Sequence, residues 1–130
     1  MNLRLLFVFV VISLLLVACG GAASAKSVGD PIQGKTLFNQ IAIREAPGCV
    51  TCHSVEPGRV LVGPSLGGVA ARAVVRAPGK SAAEYLRECI TNPNAYVVKG
   101  FSAGIMYQNF IDVLAEEEIN HLVAYLLTLE

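Results

Sequence analysis

The segment Cys49-Val50-Thr51-Cys52-His53 sets two thiols two residues apart and an imidazole directly after the second. That spacing is the attachment motif for c-type haem. Two sulfurs on one turn of backbone can reach the two vinyl groups along the porphyrin edge and form thioethers. The adjacent imidazole then comes under the iron as proximal ligand. The same pair of thiols could form a disulfide or supply half of a zinc site. Zinc needs four ligands in all, and with four cysteines and two histidines in the chain there is no second Cys/His pair to complete it. The motif therefore reads as a covalent haem c site, with iron, held by Cys49 and Cys52 and ligated by His53.

An iron that carries electrons without binding oxygen needs a sixth ligand. After Met1, one methionine and one further histidine are on offer, Met106 and His121. Met106 lies in Gly104-Ile105-Met106-Tyr107-Gln108-Asn109-Phe110, a helix-free stretch with a glycine behind it, suited to carrying a thioether over a ring. His121 belongs to a helical pattern. At about 100° per residue from Ile119, the residues Leu122, Val123, Leu126 and Leu127 cluster within roughly 80° of zero, and His121 falls near 200°. That calculation turns His121 toward solvent. Methionine is often only a gap-filler in a core, but His53/Met106 ligation is the reading that the two environments favour, and it implies a relatively high reduction potential.

These residues need elements to position them. Asp30-Pro31 is an N-cap acid followed by proline at the first helical position, where the missing N–H costs nothing. It predicts a helix to about Ile43, with Leu37, Phe38 and Ile41 on one face and Gly34 inside the apolar stripe. An interior glycine costs about 0.5–1 kcal/mol against alanine, so its place here suggests a close neighbour. Ala46-Pro47-Gly48 stops that helix. A second, short helix is expected from about Leu66 to Arg76. Ser81 with Glu84 forms a capping box opening a third, which ends before Pro93. A fourth runs from about Glu116 to Leu129, with three glutamates in the first turn, where the helix dipole favours anions. No alternating strand pattern longer than a few residues and no internal repeat occur. The fold class is thus all-α: about four short helices with long loops, too little helix to fill its own centre unless a haem does so.

The first 29 residues read differently. Arg4 precedes a run from Leu5 to Val17 interrupted only by Ser13, the layout of a signal peptide over residues 1–18. Leu16-Val17-Ala18-Cys19 is similar to the lipobox of bacterial lipoproteins, in which the cysteine receives lipid and becomes the new N-terminus. The alternatives are ordinary cleavage that leaves Cys19 a free thiol, or an uncleaved anchor. All three export the domain. Residues 19–29 form a Gly/Ala/Ser tether spanning roughly 17 Å, and residues 30–130 form the haem domain. The expected location is the outer, periplasmic face of the cytoplasmic membrane. Ten Lys+Arg balance ten Asp+Glu, and the absence of a basic patch argues against nucleic acid as a partner. The length allows a single domain.

From Asp30 onward the sequence resembles the class I cytochrome c family. Gly34 and Phe38 look like the N-terminal helix residues that pack on Leu122 and Tyr125 of the C-terminal helix. Gly63-Pro64-Ser65-Leu66 resembles the loop whose proline carbonyl orients the proximal histidine. Arg72 stands where the family often keeps an arginine near a haem propionate. Tyr85-Leu86 through Asn92-Pro93 and Tyr96 resemble the approach to the methionine loop. Two departures are Tyr107, where many relatives have proline after the ligand methionine, and Cys89, which replaces a Ser or Tyr. The resemblance implies one-electron transfer in a respiratory or photosynthetic chain, with no small-molecule substrate. The partner would be a membrane-bound redox complex: a quinol-oxidising complex, a terminal oxidase or a photosynthetic reaction centre. A resident subunit with a mainly structural haem, and a haem sensor or enzyme with a labile methionine, are the competing functions.

Overall fold

The computed structural model describes residues 29–130. Cys19, the leader at 1–18 and the tether up to residue 28 lie outside the described residues. Among the described residues five α-helices follow one another: α1 Pro31–Phe38, α2 Val69–Arg76, α3 Ala82–Thr91, α4 Phe110–Val113 and α5 Glu116–Leu126. A 3-10 turn at Cys49–Thr51 and a two-residue antiparallel ladder, β1 Ala42–Ile43 with β2 Ala46–Pro47, complete the regular structure. The mostly helical, loop-rich architecture is the expected one. The count differs by α4, a single turn whose N-cap Asn109 makes no side-chain capping bond, and a single turn leaves no periodic signal.

α1 starts as its caps dictate, with the Asp30 carboxylate accepting the Ile32 N–H at 2.8 Å. It ends at Phe38, not near Ile43. The Asn39 side-chain amide donates back to the Lys35 carbonyl at 2.8 Å, a local bond that competes with helix propagation. The chain then turns through Arg44, whose φ of 53° is left-handed, so that Ile43 pairs with Ala46 and Ala42 with Pro47. Such a conformation costs a non-glycine residue on the order of 1 kcal/mol. The Arg44 guanidinium offsets it by gripping both Glu118 oxygens at 3.0 Å, which fastens the hairpin to α5. Ile41, expected on the buried face of a longer helix, is 74% exposed. The hairpin sends the chain directly into Cys49.

α2 begins three residues later than its sequence suggested. The Leu66 N–H is taken by the Ser54 carbonyl at 2.8 Å, and Gly68 turns with φ 73°. α3 opens on the expected box, Glu84 N–H to Ser81 Oγ and Ser81 N–H to the Glu84 carboxylate. α5 stops at Leu126, where the Thr128 hydroxyl donates to the Tyr125 carbonyl at 2.7 Å.

The main helix crossing is α1 on α5. Gly34 lies against the His121 carbonyl, and a Cβ there would overlap that oxygen and come within 2.8 Å of Tyr125 Cβ. The close approach lets the Phe38 and Tyr125 rings meet edge-on at 5.5 Å. Phe38, Tyr85, Ile119 and Leu122 are the largest fully buried side chains.

His121 is not solvated as its helix angle predicted. Its side chain is 12% exposed, and its Nδ1 accepts the Asp30 N–H at 2.8 Å. A wheel calculation counts apolar neighbours on one helix and misses the start of α1 lying across it. Gly29, assigned to the tether, is likewise within this contact, since a Cβ there would reach the His121 N at 2.5 Å.

Gly34→Ala forces a methyl into backbone on the facing helix. A loss of about 2–3 kcal/mol is expected despite alanine's better helix propensity, read from the denaturant midpoint of the holoprotein. An unchanged midpoint would show that the crossing relaxes freely.

Candidate functional site

The inner faces of the helices enclose a cleft of about 1290 Å³, part of it open to solvent, and each helix contributes to its lining. Phe38 comes from α1, Val69 from α2, Tyr85 from α3, Phe110 from α4 and Leu122 from α5. Among the described residues no Asp, Glu, Lys or Arg lines it.

Cys49, Cys52 and His53 enter from one segment. The 3-10 turn at Cys49–Thr51 is closed by Thr51 Oγ donating to the Gly48 carbonyl, and the His53 N–H donates to the Cys49 carbonyl at 2.9 Å. The two thiols are therefore one turn apart, and neither forms a disulfide. Burial pushes the Cys49 thiol up to about 11. A protonated thiol is a poor nucleophile, so Cys49 is the less reactive toward oxidation for its burial.

The His53 ring is oriented by a single bond. Its Nδ1 lies 2.9 Å from the Pro64 carbonyl oxygen, which can only accept, so Nδ1 carries the proton and Nε2 keeps a free lone pair. Burial holds its pKa below the ordinary imidazole value, with the Pro64 bond opposing, and the ring is thus neutral and ready to ligate. Gly63 makes room for it: a Cβ there would lie 2.8 Å from Nδ1, 3.0 Å from Nε2 and closer still to Cε1.

Met106 lines the same cleft. The turn before it has Gly104 at φ 78°, with its N–H held by the Asn94 side chain at 2.9 Å. The Met106 carbonyl accepts the Gln108 side-chain amide. Tyr107, standing where proline was expected, packs its ring edge-on against buried Phe110 at 5.1 Å. Side-chain ties thus fix this loop where a proline would have done so through the backbone. Neither the Asn94 nor the Tyr107 contact has a spacing that sequence reasoning could have caught.

Cys49, Cys52, His53, Pro64, Tyr96 and Met106 therefore share one cleft, and Tyr96 meets Tyr85 edge-on at 5.3 Å. Cys89 lies on its lining too, a partly buried thiol whose pKa is raised by burial. Arg72 does not join them. Its guanidinium donates to the Gly67 and Ser65 carbonyls at 2.7 and 2.8 Å, and it is absent from the lining. His121 is also outside it, which leaves Met106 as the second candidate ligand.

The donor set fits a haem c: an apolar, uncharged cavity, two reduced thiols one turn apart, and a neutral imidazole with its free nitrogen fixed by a carbonyl behind it. Residues 32–130 match the family described as cytochrome c. The chain belongs to the cytochrome c family. With that membership comes covalently bound haem c, which Cys49 and Cys52 would hold. A stretch of 56 residues is 43% identical to cytochrome c2 of Rhodopila globiformis. That match covers 43% of this chain and 46% of the relative, so it spans under half the length of either.

Gly63→Ala should push the His53 ring from its seat. The ratio of haem absorbance to protein in the purified domain is expected to fall to half or less, and a wild-type ratio would show that the loop yields instead.

Proposed function

We propose that this cytochrome c family member is a one-electron carrier with His53 and Met106 as the two axial ligands. The observation that carries the reading is that His53, its Nδ1 held by the Pro64 carbonyl, and Met106 line one cleft with no charged residue among the described residues of its lining. The haem supplies a ferric/ferrous couple. The chain's own part is to hold both ligands and to keep charge out of the cavity. An apolar cleft favours the less charged reduced state, and with methionine as ligand it points to a relatively high potential. No residue of the lining other than His53 offers an acid or base for substrate chemistry below the thiol and phenol range, which favours transfer over turnover.

The placement in the cell rests on residues 1–19. Arg4, the apolar run to Val17 and Leu16-Val17-Ala18-Cys19 support export and lipid attachment at Cys19, which would hold the domain at the outer face of the cytoplasmic membrane beside a membrane-bound redox complex. Among the described residues no helix is long and apolar enough to cross a membrane.

Met106→Ala is expected to convert the site to high-spin or solvent-ligated iron and to abolish the near-infrared band from sulfur to ferric iron, while His121→Ala leaves the spectrum unchanged. Loss of the band in His121→Ala, or its survival in Met106→Ala, would reverse the ligand assignment.

Charge steering is weak here by construction. Lys80 is paired with Glu88, Arg59 with Glu56, Arg44 with Glu118 and Arg87 with Glu116. Steered associations change 10- to 1000-fold or so with field. For this domain the electron-transfer rate with its native partner should fall less than about threefold between low and physiological salt, as measured by rapid mixing; a steep fall would reveal a charged docking face.

A further inference from the structure

We propose that Arg72 is a positioning residue for His53, acting through the Pro64–Gly67 loop. The proposal rests on His53 being the proximal ligand. The Pro64 carbonyl must point at Nδ1 for the ring to keep its tautomer and direction. Pro64 has no N–H with which to anchor itself, and the residues after it include two glycines, one of them left-handed. Its direction is therefore set by its neighbours. The planar guanidinium of Arg72 fixes two of them from α2, one nitrogen donating to the Ser65 carbonyl at 2.8 Å and the other to the Gly67 carbonyl at 2.7 Å. On the opposite side Ser65 Oγ donates to the Glu56 carbonyl at 2.6 Å and accepts the Gly67 N–H at 3.2 Å. A fork with two parallel donors is what arginine offers and lysine lacks.

The two roles for Arg72 predict opposite signs. Slackening the loop weakens the Nδ1–H bond, makes the imidazole a poorer donor and so raises the reduction potential. Removing a nearby positive charge lowers it. Arg72→Lys keeps the charge and loses the fork. In the holoprotein it should speed solvent exchange of the His53 Nδ1 proton, followed by NMR, at least about tenfold. It should also shift the oxidised-to-reduced ratio about threefold toward reduced, about 28 mV upward at 59 mV per decade. Arg72→Gln should speed the exchange as well. If Arg72→Lys matches wild type in both readouts and Arg72→Gln lowers the potential at wild-type exchange, the residue acts as a charge and the proposal fails. Should Arg72→Lys yield no red protein, Ser65→Ala slackens the same loop from its other side. Faster exchange with a raised potential there supports the proposal, and wild-type values overturn it. A wild-type spectrum without histidine ligation would instead remove the proximal-ligand reading itself.

Discussion

Helices of four to eleven residues cannot close a core against one another over their whole inner faces, and a domain of about a hundred residues has little other apolar surface with which to make up the difference. Gly34 lets α1 and α5 touch backbone to backbone. Leu37, Ile43, Ala73, Ile119 and Tyr125 are buried in the core, but Phe38, Tyr85, Phe110 and Leu122 line the cleft, where a filler adds dispersion contacts. A bound haem would supply those contacts as well as the redox chemistry, and thioethers at Cys49 and Cys52 would stop that part of the core from dissociating.

That dependence explains where the polar groups stand. Each of the two proposed ligands is held by uncharged groups beside it: His53 by the Pro64 carbonyl, and the Met106 loop by Asn94, Gln108 and the Tyr107–Phe110 contact. The cavity is left free of formal charge, and buried charge would cost most there.

The site was more legible in the sequence than the fold around it. Attachment of haem is a local chemistry, so Cys49, Cys52 and His53 announce it by spacing alone. Two helix starts were equally local: Asp30-Pro31 and Ser81 with Glu84 act within one turn, and the structure has both. The end of α1 and the start of α2 were misjudged because they depend on competition. Asn39 turns its amide on Lys35, Leu66 gives its N–H to Ser54, and neither choice shows as a break in periodicity. The contacts of Arg72 and the burial of His121 were missed for a related reason. Each bonds to backbone, a partner that carries no residue-type signal, and for His121 that partner is 91 positions away.

The Asp30 N–H on His121 has a mechanical meaning. Gly29 and Asp30 are the first described residues, and both sit on α5 beside the point where α1 crosses it. Any pull exerted on the domain by the residues before them enters through that junction. It is met by α1 and α5 loaded in shear, side by side, and is not passed along the chain to Cys49. Between the junction and the haem motif stands the Ala42–Pro47 hairpin, itself pinned to α5 by Arg44 and Glu118. The domain can therefore be tugged and reoriented from its N-terminus while the two ligand loops keep their spacing.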